Sequence, residues 1–289
     1  LKQKLEEGLH LHQAGRLQEA EKLYREVLLE SSDDPDAHHF LGLIAHQLGD
    51  FDEAVRLISR AIELETDRPT FHFNLGAALI ENGQRSDAIS AYKIAARLKP
   101  DWAEAHYNLG TLLWQSGNVK IAETSLRRAI ELKPTYHEAI SNLAAIFTTQ
   151  GKLDEASRYC QQAIELAPDF VEAWTNWGNA LEKLNRHDEA ETAHRKATVK
   201  NPDYAVGHYN LGNLLTNFWE PDDGTKCYRN ALEADSEYLP ARDNLLMNLL
   251  YDPSSTEALL YKEHVKWAGQ TKIIKYDQVF HNNRNRDRR

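Results

Sequence analysis

The sequence has 289 residues, of which 42% are hydrophobic and 27% charged, so it can form a packed core and is not a wholly disordered chain. Asp and Glu number 44 against 34 Lys and Arg, and the resulting formal charge of −10 disfavours a nucleic acid partner, because phosphate binding needs a basic surface. No run of residues reaches the roughly 18–20 consecutive apolar residues of a membrane helix, so we expect no membrane partner.

One pattern of 34 residues recurs without insertion from Leu1 to about Tyr251. We number its positions from Leu1, so that repeats 2 to 8 begin at residues 35, 69, 103, 137, 171, 205 and 239. Position 20 is alanine in six repeats and Gly224 in the seventh, and position 27 is alanine in every repeat after Val27. Position 8 holds only the smallest residues, namely Gly8, Gly42, Gly76, Gly110, Ala144, Gly178 and Gly212.

Each half of a repeat reads as an amphipathic helix. Apolar residues recur three and four apart, as at Leu109, Leu112 and Leu113, whereas the alternation expected of strands is absent. A turn glycine separates the halves at residues 15, 49, 83, 117 and 151. Such helix–turn–helix repeats are typical of the tetratricopeptide family. Because one helix pair cannot bury its own apolar face, the sequence predicts an all-α fold, a right-handed superhelical solenoid of stacked repeats.

The later part of the chain departs from the pattern. Asn185 replaces the turn glycine of repeat 6 and tolerates the left-handed conformation. In repeat 7, Trp219 stands at the turn and Pro221 opens the second helix, which suits a first helical turn. We predict an array of about seven full repeats and a partial one over residues 1–251, a capping or junction helix over 252–271, and a basic linker or tail over 272–289. Ser254 with Glu257 forms a capping-box pattern, which predicts that the junction helix begins at about Ser255.

Position 6 carries the most informative series of the chain. Asparagine is a mediocre helix former, yet it fills this position in six successive repeats, after Glu6 and Phe40 in the first two. In tetratricopeptide arrays this position faces the concave groove, where an amide can match the N–H and C=O of an extended peptide. The alternative is that the amides only bridge neighbouring helices. The predicted peptide-binding residues are Asn74, Asn108, Asn142, Asn176, Asn210 and Asn244.

Positions 5, 9 and 12 supply candidate neighbours of these asparagines in the groove. Some of the aromatic residues among them fit simple packing equally well. The candidates are Phe73, Tyr107, Thr111, Trp114, Asn179, Tyr209 and Asn213. We predict no metal site, because the chain has no HExxH string, the helical zinc motif with two histidines four residues apart. No phosphate-binding, nucleophile-elbow or zincin motif occurs, so we expect no catalysis by this chain and no cofactor in it.

The groove series, followed by the segment NLLMNLLYDPSSTEALLYKEHVKWAGQ and an arginine-rich run, resembles the repeat arm and junction of O-linked N-acetylglucosamine transferases. The resemblance implies that the groove holds protein substrates and that UDP-GlcNAc is used by a catalytic region beyond Arg289. No catalytic residue of that family falls within this chain. The resemblance extends the substrate-holding role to the asparagines from Asn74 to Asn244, whereas Glu6 and Phe40 break the series.

Two further classes of function stay open. A free-standing adaptor or assembly scaffold could use the same groove for a partner protein, and a homo-oligomer could form through the apolar end or the convex face. A chaperone-tail receptor is disfavoured, because the matching positions lack its paired Lys and Arg. Cys160 and Cys227 belong to no CxxC motif and predict reduced thiols in the cytoplasm. The chain starts at Leu1 without a visible signal peptide, and we expect it to be a fragment of a longer protein.

Overall fold

The structure, a computed structural model, describes residues 1–218, 221–252 and 255–268. All regular structure in these residues is helical, so the predicted all-α class is confirmed. Two helices make up each of the seven full repeats, and in repeats 1 to 5 and 7 these two helices pack closely against each other. The helices are α1 (Lys2–Gln13), α2 (Leu17–Glu30), α3 (Pro35–Gln47), α4 (Phe51–Leu64), α5 (Pro69–Glu81), α6 (Arg85–Leu98), α7 (Ala103–Gln115), α8 (Val119–Leu132), α9 (His137–Thr149), α10 (Leu153–Leu166), α11 (Val171–Lys183), α12 (His187–Lys200), α13 (Ala205–Asn217), α14 (Pro221–Ala234), α15 (Leu239–Tyr251) and α16 (Glu257–Ala268).

A left-handed residue links the two helices of repeats 1 to 6. The five turn glycines have φ between 73° and 81°, a conformation that costs glycine nothing because it has no Cβ. In repeat 4, for example, the N–H of Gly117 donates to the carbonyl of Trp114 over 2.9 Å. Asn185 takes the same conformation with φ 57°, which confirms the prediction made for repeat 6. Trp219, at the corresponding turn of repeat 7, lies outside the described residues.

Position 8 is glycine in repeats 1 to 4 and 7 because the first helix approaches the second helix closely there. An added Cβ would lie 2.5 Å from the Tyr24 ring at Gly8 and 2.8 Å from Leu126 Cγ at Gly110. The same contact recurs at residues 42, 76 and 212, each time against the side chain at position 24 of the same repeat. The glycines therefore set how closely the two helices of these pairs approach.

Repeat 5 shows how this contact tolerates an alanine. Ala144 occupies position 8, and position 24 is Cys160, a smaller residue than the tyrosine, isoleucine or leucine of the glycine-containing pairs above. Both side chains are fully buried. We infer that the smaller residue on the second helix makes room for the extra methyl group on the first.

The chain divides into two compact units, an N-terminal unit of residues 1–184 and a C-terminal unit from Asn185 onward. The division falls in the turn between α11 and α12, inside repeat 6. In the C-terminal unit α12 packs on α13, and α13 pairs with α14. Helix α15 packs on α13 and α14, and α16 packs on α15.

The first helices of the N-terminal unit lie on its inner side. Helices α1 and α3, α3 and α5, α7 and α9, and α9 and α11 contact each other, whereas no two second helices of this unit make a comparable contact. Because helices on the concave side of a stack lie closer together, the first helices form the inner surface of this unit. We call this the inner surface and the opposite, second-helix side the outer surface.

Helix α16 begins at Glu257, slightly later than the predicted start near Ser255. The N–H of Leu259 donates to Thr256 Oγ1 over 3.2 Å, so Thr256 caps the first turn. Ser254 and residues 269–289 lie outside the described residues, and the predicted division at residues 251 and 271 stays a prediction. No helix in the described part of the chain is both long enough and apolar enough to span a membrane.

One buried histidine joins two repeats in the N-terminal unit. His39 on α3 is only 5% exposed, and its ring lies 4.5 Å from the ring of Phe71 on α5. Its Nε2 accepts a hydrogen bond from Asn74 Nδ2 over 2.8 Å. Burial, together with the nearby charges of Arg68 and His12, lowers the pKa of His39 from 6.5 to about 4.

The contact between positions 8 and 24 predicts a specific energetic coupling. We expect Gly110→Ala to cost more in the native background than in a Leu126→Cys background, by about 0.5–3 kcal/mol, because the cysteine recreates the pair found at residues 144 and 160. Urea unfolding of the two single variants, the double variant and the parent chain measures this difference. Helix propensity, worth about 1 kcal/mol for Gly→Ala, cancels in the cycle. Strictly additive effects would contradict the proposed steric contact.

The lowered pKa of His39 predicts a loss of stability on acidification. Its folded-state pKa lies below the unfolded value, so its contribution is complete above about pH 6.5 and is lost as the pH falls toward 4. We therefore expect the urea midpoint of the parent chain to fall more between pH 7 and pH 4.5 than that of a His39→Gln variant. Parallel pH profiles for the two proteins would contradict the lowered pKa, because a histidine with the same pKa in the folded and unfolded states makes no pH-dependent contribution to stability.

Candidate functional site

The asparagines at position 6 lie where neighbouring first helices meet. Asn74 on α5 bonds to His39 on α3, and Asn142 on α9 donates through Nδ2 to Thr111 Oγ1 on α7 over 3.1 Å. Each of these amides therefore crosses to the first helix of the preceding repeat. Both residues are half-buried.

The same bridge recurs between later pairs of first helices. Asn176 Nδ2 donates to Ser141 Oγ over 2.9 Å, which joins α11 to α9. Within the C-terminal unit, Asn244 Nδ2 donates to Asn213 Oδ1 over 2.7 Å, which joins α15 to α13. The acceptors stand at positions 5 and 9 of the preceding repeat. The alternative left open by the sequence, that these amides bridge neighbouring helices, is therefore observed for four of them.

Asn108 and Asn210 differ from the other members of the series. Asn108 forms a hydrogen bond with the hydroxyl of Tyr92 on the second helix of the preceding repeat. Burial raises the pKa of Tyr92 to about 12, and the bond to Asn108 offsets part of that rise. Asn210 is half-buried on α13. All six asparagines are thus half-buried residues of first helices.

The aromatic candidates at position 5 pack mainly against the linkers between repeats. Phe73 stacks on Trp102 with ring centroids 4.3 Å apart, and Tyr107 lies 4.8 Å from Tyr136. In the C-terminal unit Tyr209 meets Tyr238 edge to face at 5.5 Å. These three rings therefore pack against neighbouring residues, which is the alternative that the sequence left open for the aromatic candidates.

Tyr107 also takes part in the polar contacts between first helices. Burial raises the pKa of its phenol, and hydrogen bonds to Thr111 and Asn142 partly oppose this. The three side chains form one connected group on α7 and α9, with one donor of Asn142 already used. In the C-terminal unit, Tyr228 donates to Asn213 Oδ1 over 2.8 Å, so Asn213 accepts from two partners.

Two pockets open on the inner surface of the N-terminal unit. The smaller, of about 220 Å³, includes Asn108 and Thr111 together with residues of α3, α5 and α6. The larger, of about 350 Å³, lies between α7, α9 and α11. We call the larger one the Trp114 pocket, and it is lined by Trp114, Ala145, Thr148, Thr149, Asn176, Asn179, Glu182 and Lys183.

The Trp114 pocket brings predicted residues from two repeats together across α9. Trp114 is the position-12 residue of repeat 4, whereas Asn176 and Asn179 stand at positions 6 and 9 of repeat 6. An indole face and two amides suit a side chain that has both an apolar part and a polar end. With Asn108 and Thr111 in the smaller pocket, five of the predicted residues of the N-terminal unit line pockets on its inner surface.

Several residues of this surface were not among the predicted ones. His39 and Ser141 at position 5 accept the amide bonds, and Tyr92 reaches the surface from a second helix. The predicted residues at position 5 were all aromatic, so its polar members were missed. Tyr92 could not be found from the first-helix pattern, because it belongs to the other half of a repeat.

The described residues contain no cluster of three or more His, Cys, Asp or Glu side chains arranged to hold a metal ion. Burial raises the pKa of the Cys160 thiol to about 12 and that of Cys227 to about 11. Both thiols are therefore protonated and poorly nucleophilic at neutral pH.

Comparisons with known proteins agree with this architecture. Models described as tetratricopeptide repeat match residues 11–79, 73–137, 137–170 and 159–192. No curated protein sequence matches the chain.

Solved structures of other helical repeat proteins superimpose on much of the chain. A tetratricopeptide repeat protein from Parabacteroides merdae is 18% identical with a TM-score of 0.68, over 86% of this chain and 98% of that one. YrrB, described as a TPR protein with an unusual peptide-binding site, is 22% identical with a TM-score of 0.56, over 64% of this chain and 95% of that one. MamA is 29% identical with a TM-score of 0.52, over 55% of this chain and 94% of that one. The repeat matches and the helix-pair packing together show that the chain is a tetratricopeptide repeat protein.

Proposed function

We propose that the chain is a protein-binding module whose inner surface holds extended polypeptide segments through their main chain. The observation that supports this proposal is the state of the position-6 amides in the N-terminal unit. Asn74 Nδ2 makes one bond to His39, Asn176 Nδ2 bonds to both the hydroxyl and the carbonyl oxygen of Ser141, and the side-chain carbonyl oxygens of the two asparagines accept no hydrogen bond from the described residues. Asn74 keeps one N–H and one C=O, the pair of groups that a peptide main chain complements, and Asn176 keeps its C=O.

The spacing of the helices fits an extended ligand. Neighbouring first helices are about 9–10 Å apart, and an extended strand advances about 3.3 Å per residue, so one amide meets about every third peptide residue. The four amides from Asn74 to Asn176 then span a segment of about ten residues. Asn210 and Asn244 extend the same role to the C-terminal unit.

Main-chain contacts alone give weak binding. A neutral hydrogen bond contributes about 0.5–1.5 kcal/mol net, whereas association costs about 4–15 kcal/mol. The Trp114 pocket would supply the missing part by taking up a ligand side chain. In this proposal the amides hold any extended segment, and the pocket favours segments with a suitable side chain in register.

The finer proposal is that this module is the substrate-holding arm of a protein glycosyltransferase that uses UDP-GlcNAc. It is supported by the asparagine series and by the junction sequence from Asn244 to Gln270, which resembles that family. The chain itself would then be non-catalytic, would hold no cofactor and would act in the cytoplasm. A doubly wound α/β sequence in the reading frame beyond Arg289 would support the transferase arm, whereas a stop codon there would favour a free-standing adaptor.

Removing the amides should weaken peptide capture without unfolding the chain. We expect the triple variant Asn108→Ala, Asn142→Ala and Asn176→Ala to bind a fluorescein-labelled pool of randomised capped peptides at least fivefold more weakly than the parent chain. The matched control, with Gln161→Ala, Gln162→Ala and Asn230→Ala, removes three exposed amides of second helices. Fluorescence anisotropy and helicity by circular dichroism measure both effects. Equal affinities for the three proteins would refute the amide assignment.

A second variant separates the bridge from the peptide contact. In the variant Asn142→Asp, the hydroxyl of Thr111 can donate to the new carboxylate, so the bridge survives with its donor reversed. The N–H group that would reach a peptide carbonyl is lost. We expect an unchanged urea midpoint and weaker binding of uncharged peptides from the same pool. A lowered midpoint with unchanged binding would show that this amide is purely architectural.

A further inference from the structure

A third pocket lies on the outer surface of the N-terminal unit. It has a volume of about 580 Å³ and is formed by α6, α7, α8 and the loop at Pro100. We call it the outer pocket, and it shares no residue with the Trp114 pocket or with the position-6 series. Its lining residues include Lys93, Arg97, Arg127 and Arg128, with Glu131 as the single carboxylate.

The charge of the outer pocket is opposite to that of the protein. Four cationic side chains against one carboxylate give the lining a formal charge of +3, whereas the whole chain carries −10. Position 29 accounts for part of this difference. That position is glutamate in four repeats, at residues 63, 131, 165 and 233, but it is Arg97 in repeat 3.

Repeat 3 therefore lacks a pair that other repeats have. In repeat 2, Arg60 pairs with Glu63 at 2.9 Å, and in repeat 4, Arg128 pairs with Glu131 at 3.1 Å. In repeat 3 the corresponding residues are Ile94 and Arg97, so the pair of an arginine with a glutamate is absent. Arg97 therefore has no ion-pair partner three residues before it.

The cations of the pocket are accessible to a ligand. Lys93 and Arg97 are exposed and form no ion pair with the described residues. Arg127 pairs with Glu123 at 2.9 Å, but this pair is exposed on the arginine side, as is the pair of Arg128. Exposed ion pairs contribute little, so the Arg128 guanidinium can exchange partners at small cost.

The floor of the pocket is apolar, and a hydrogen bond holds the loop beside it. Ala96 and Leu109 line it and are 6% and 7% exposed. His106 Nε2 donates to the Pro100 carbonyl over 3.2 Å, which holds the loop against α7. The pocket therefore combines a small apolar floor with exposed cations around it.

We propose that the outer pocket binds a short acidic peptide segment of a partner protein, with one apolar side chain on the floor and flanking carboxylates paired to Lys93 and Arg97. Charge complementarity selects the acidic flanks, and the floor selects the apolar residue. A nucleic acid fits less well, because a long polyanion would extend from the pocket over the negatively charged remainder of the protein. This site is independent of the peptide-binding inner surface.

The test uses a fluorescein-labelled peptide with one leucine between two runs of three acidic residues. We expect the parent chain to bind it at low salt, and Lys93→Glu with Arg97→Glu to weaken binding at least tenfold. The matched control, Arg158→Glu with Lys196→Glu, changes the net charge equally at exposed residues of other second helices. It should bind within about twofold of the parent, as should the Asn108, Asn142 and Asn176 triple alanine variant.

Two further probes define what the site recognises. A peptide with glutamines in place of the acidic residues should not bind, and one with alanine in place of leucine should bind several-fold more weakly. Equal losses in the two charge-reversed proteins would overturn the proposal, because they would show only the effect of net charge. Tighter binding of a labelled DNA duplex than of the acidic peptide, abolished by the same Lys93 and Arg97 changes, would also overturn it.

Discussion

The close approach of the two helices within a repeat is the constraint on which the rest of the structure depends. At position 8 of repeats 1 to 4 and 7 the first helix meets the side chain at position 24 with no room for a Cβ, as at Gly8 against Tyr24. Because the distance between the two helices is set in the same way in successive pairs, the helix pairs stack in a constant register. The constant register in turn places position 6 of one repeat beside positions 5 and 9 of the repeat before it.

The asparagine series is best understood as a consequence of that register. An amide at position 6 can satisfy a polar partner on the preceding first helix and still present groups to the inner surface. Alanine would lose the bridge, and a longer side chain would fill the groove. The bridge between first helices gives one reason why a mediocre helix former recurs in six repeats, and the proposed peptide contact would give a second.

Much of the fold could be predicted from the sequence, because the signals involved are local. Glycine or Asn185 at a turn, Pro221 at the start of a helix and small residues at position 8 each act within one repeat. The partners of the amides could not be predicted in the same way, since they depend on how one repeat is rotated on the next. His39 and Tyr92 entered the site through such contacts. The outer pocket was missed for a similar reason, because its charges come from helices of two repeats.

The tight contact in repeat 5 has a practical consequence for Cys160. Its thiol is fully buried and its pKa is raised to about 12, so almost no thiolate forms while the repeat stays closed. Alkylating reagents react with thiolates, so modification of this cysteine requires a local opening of α9 from α10. The rate of its labelling in the native state therefore reports how often the middle of the array opens, without any engineered probe.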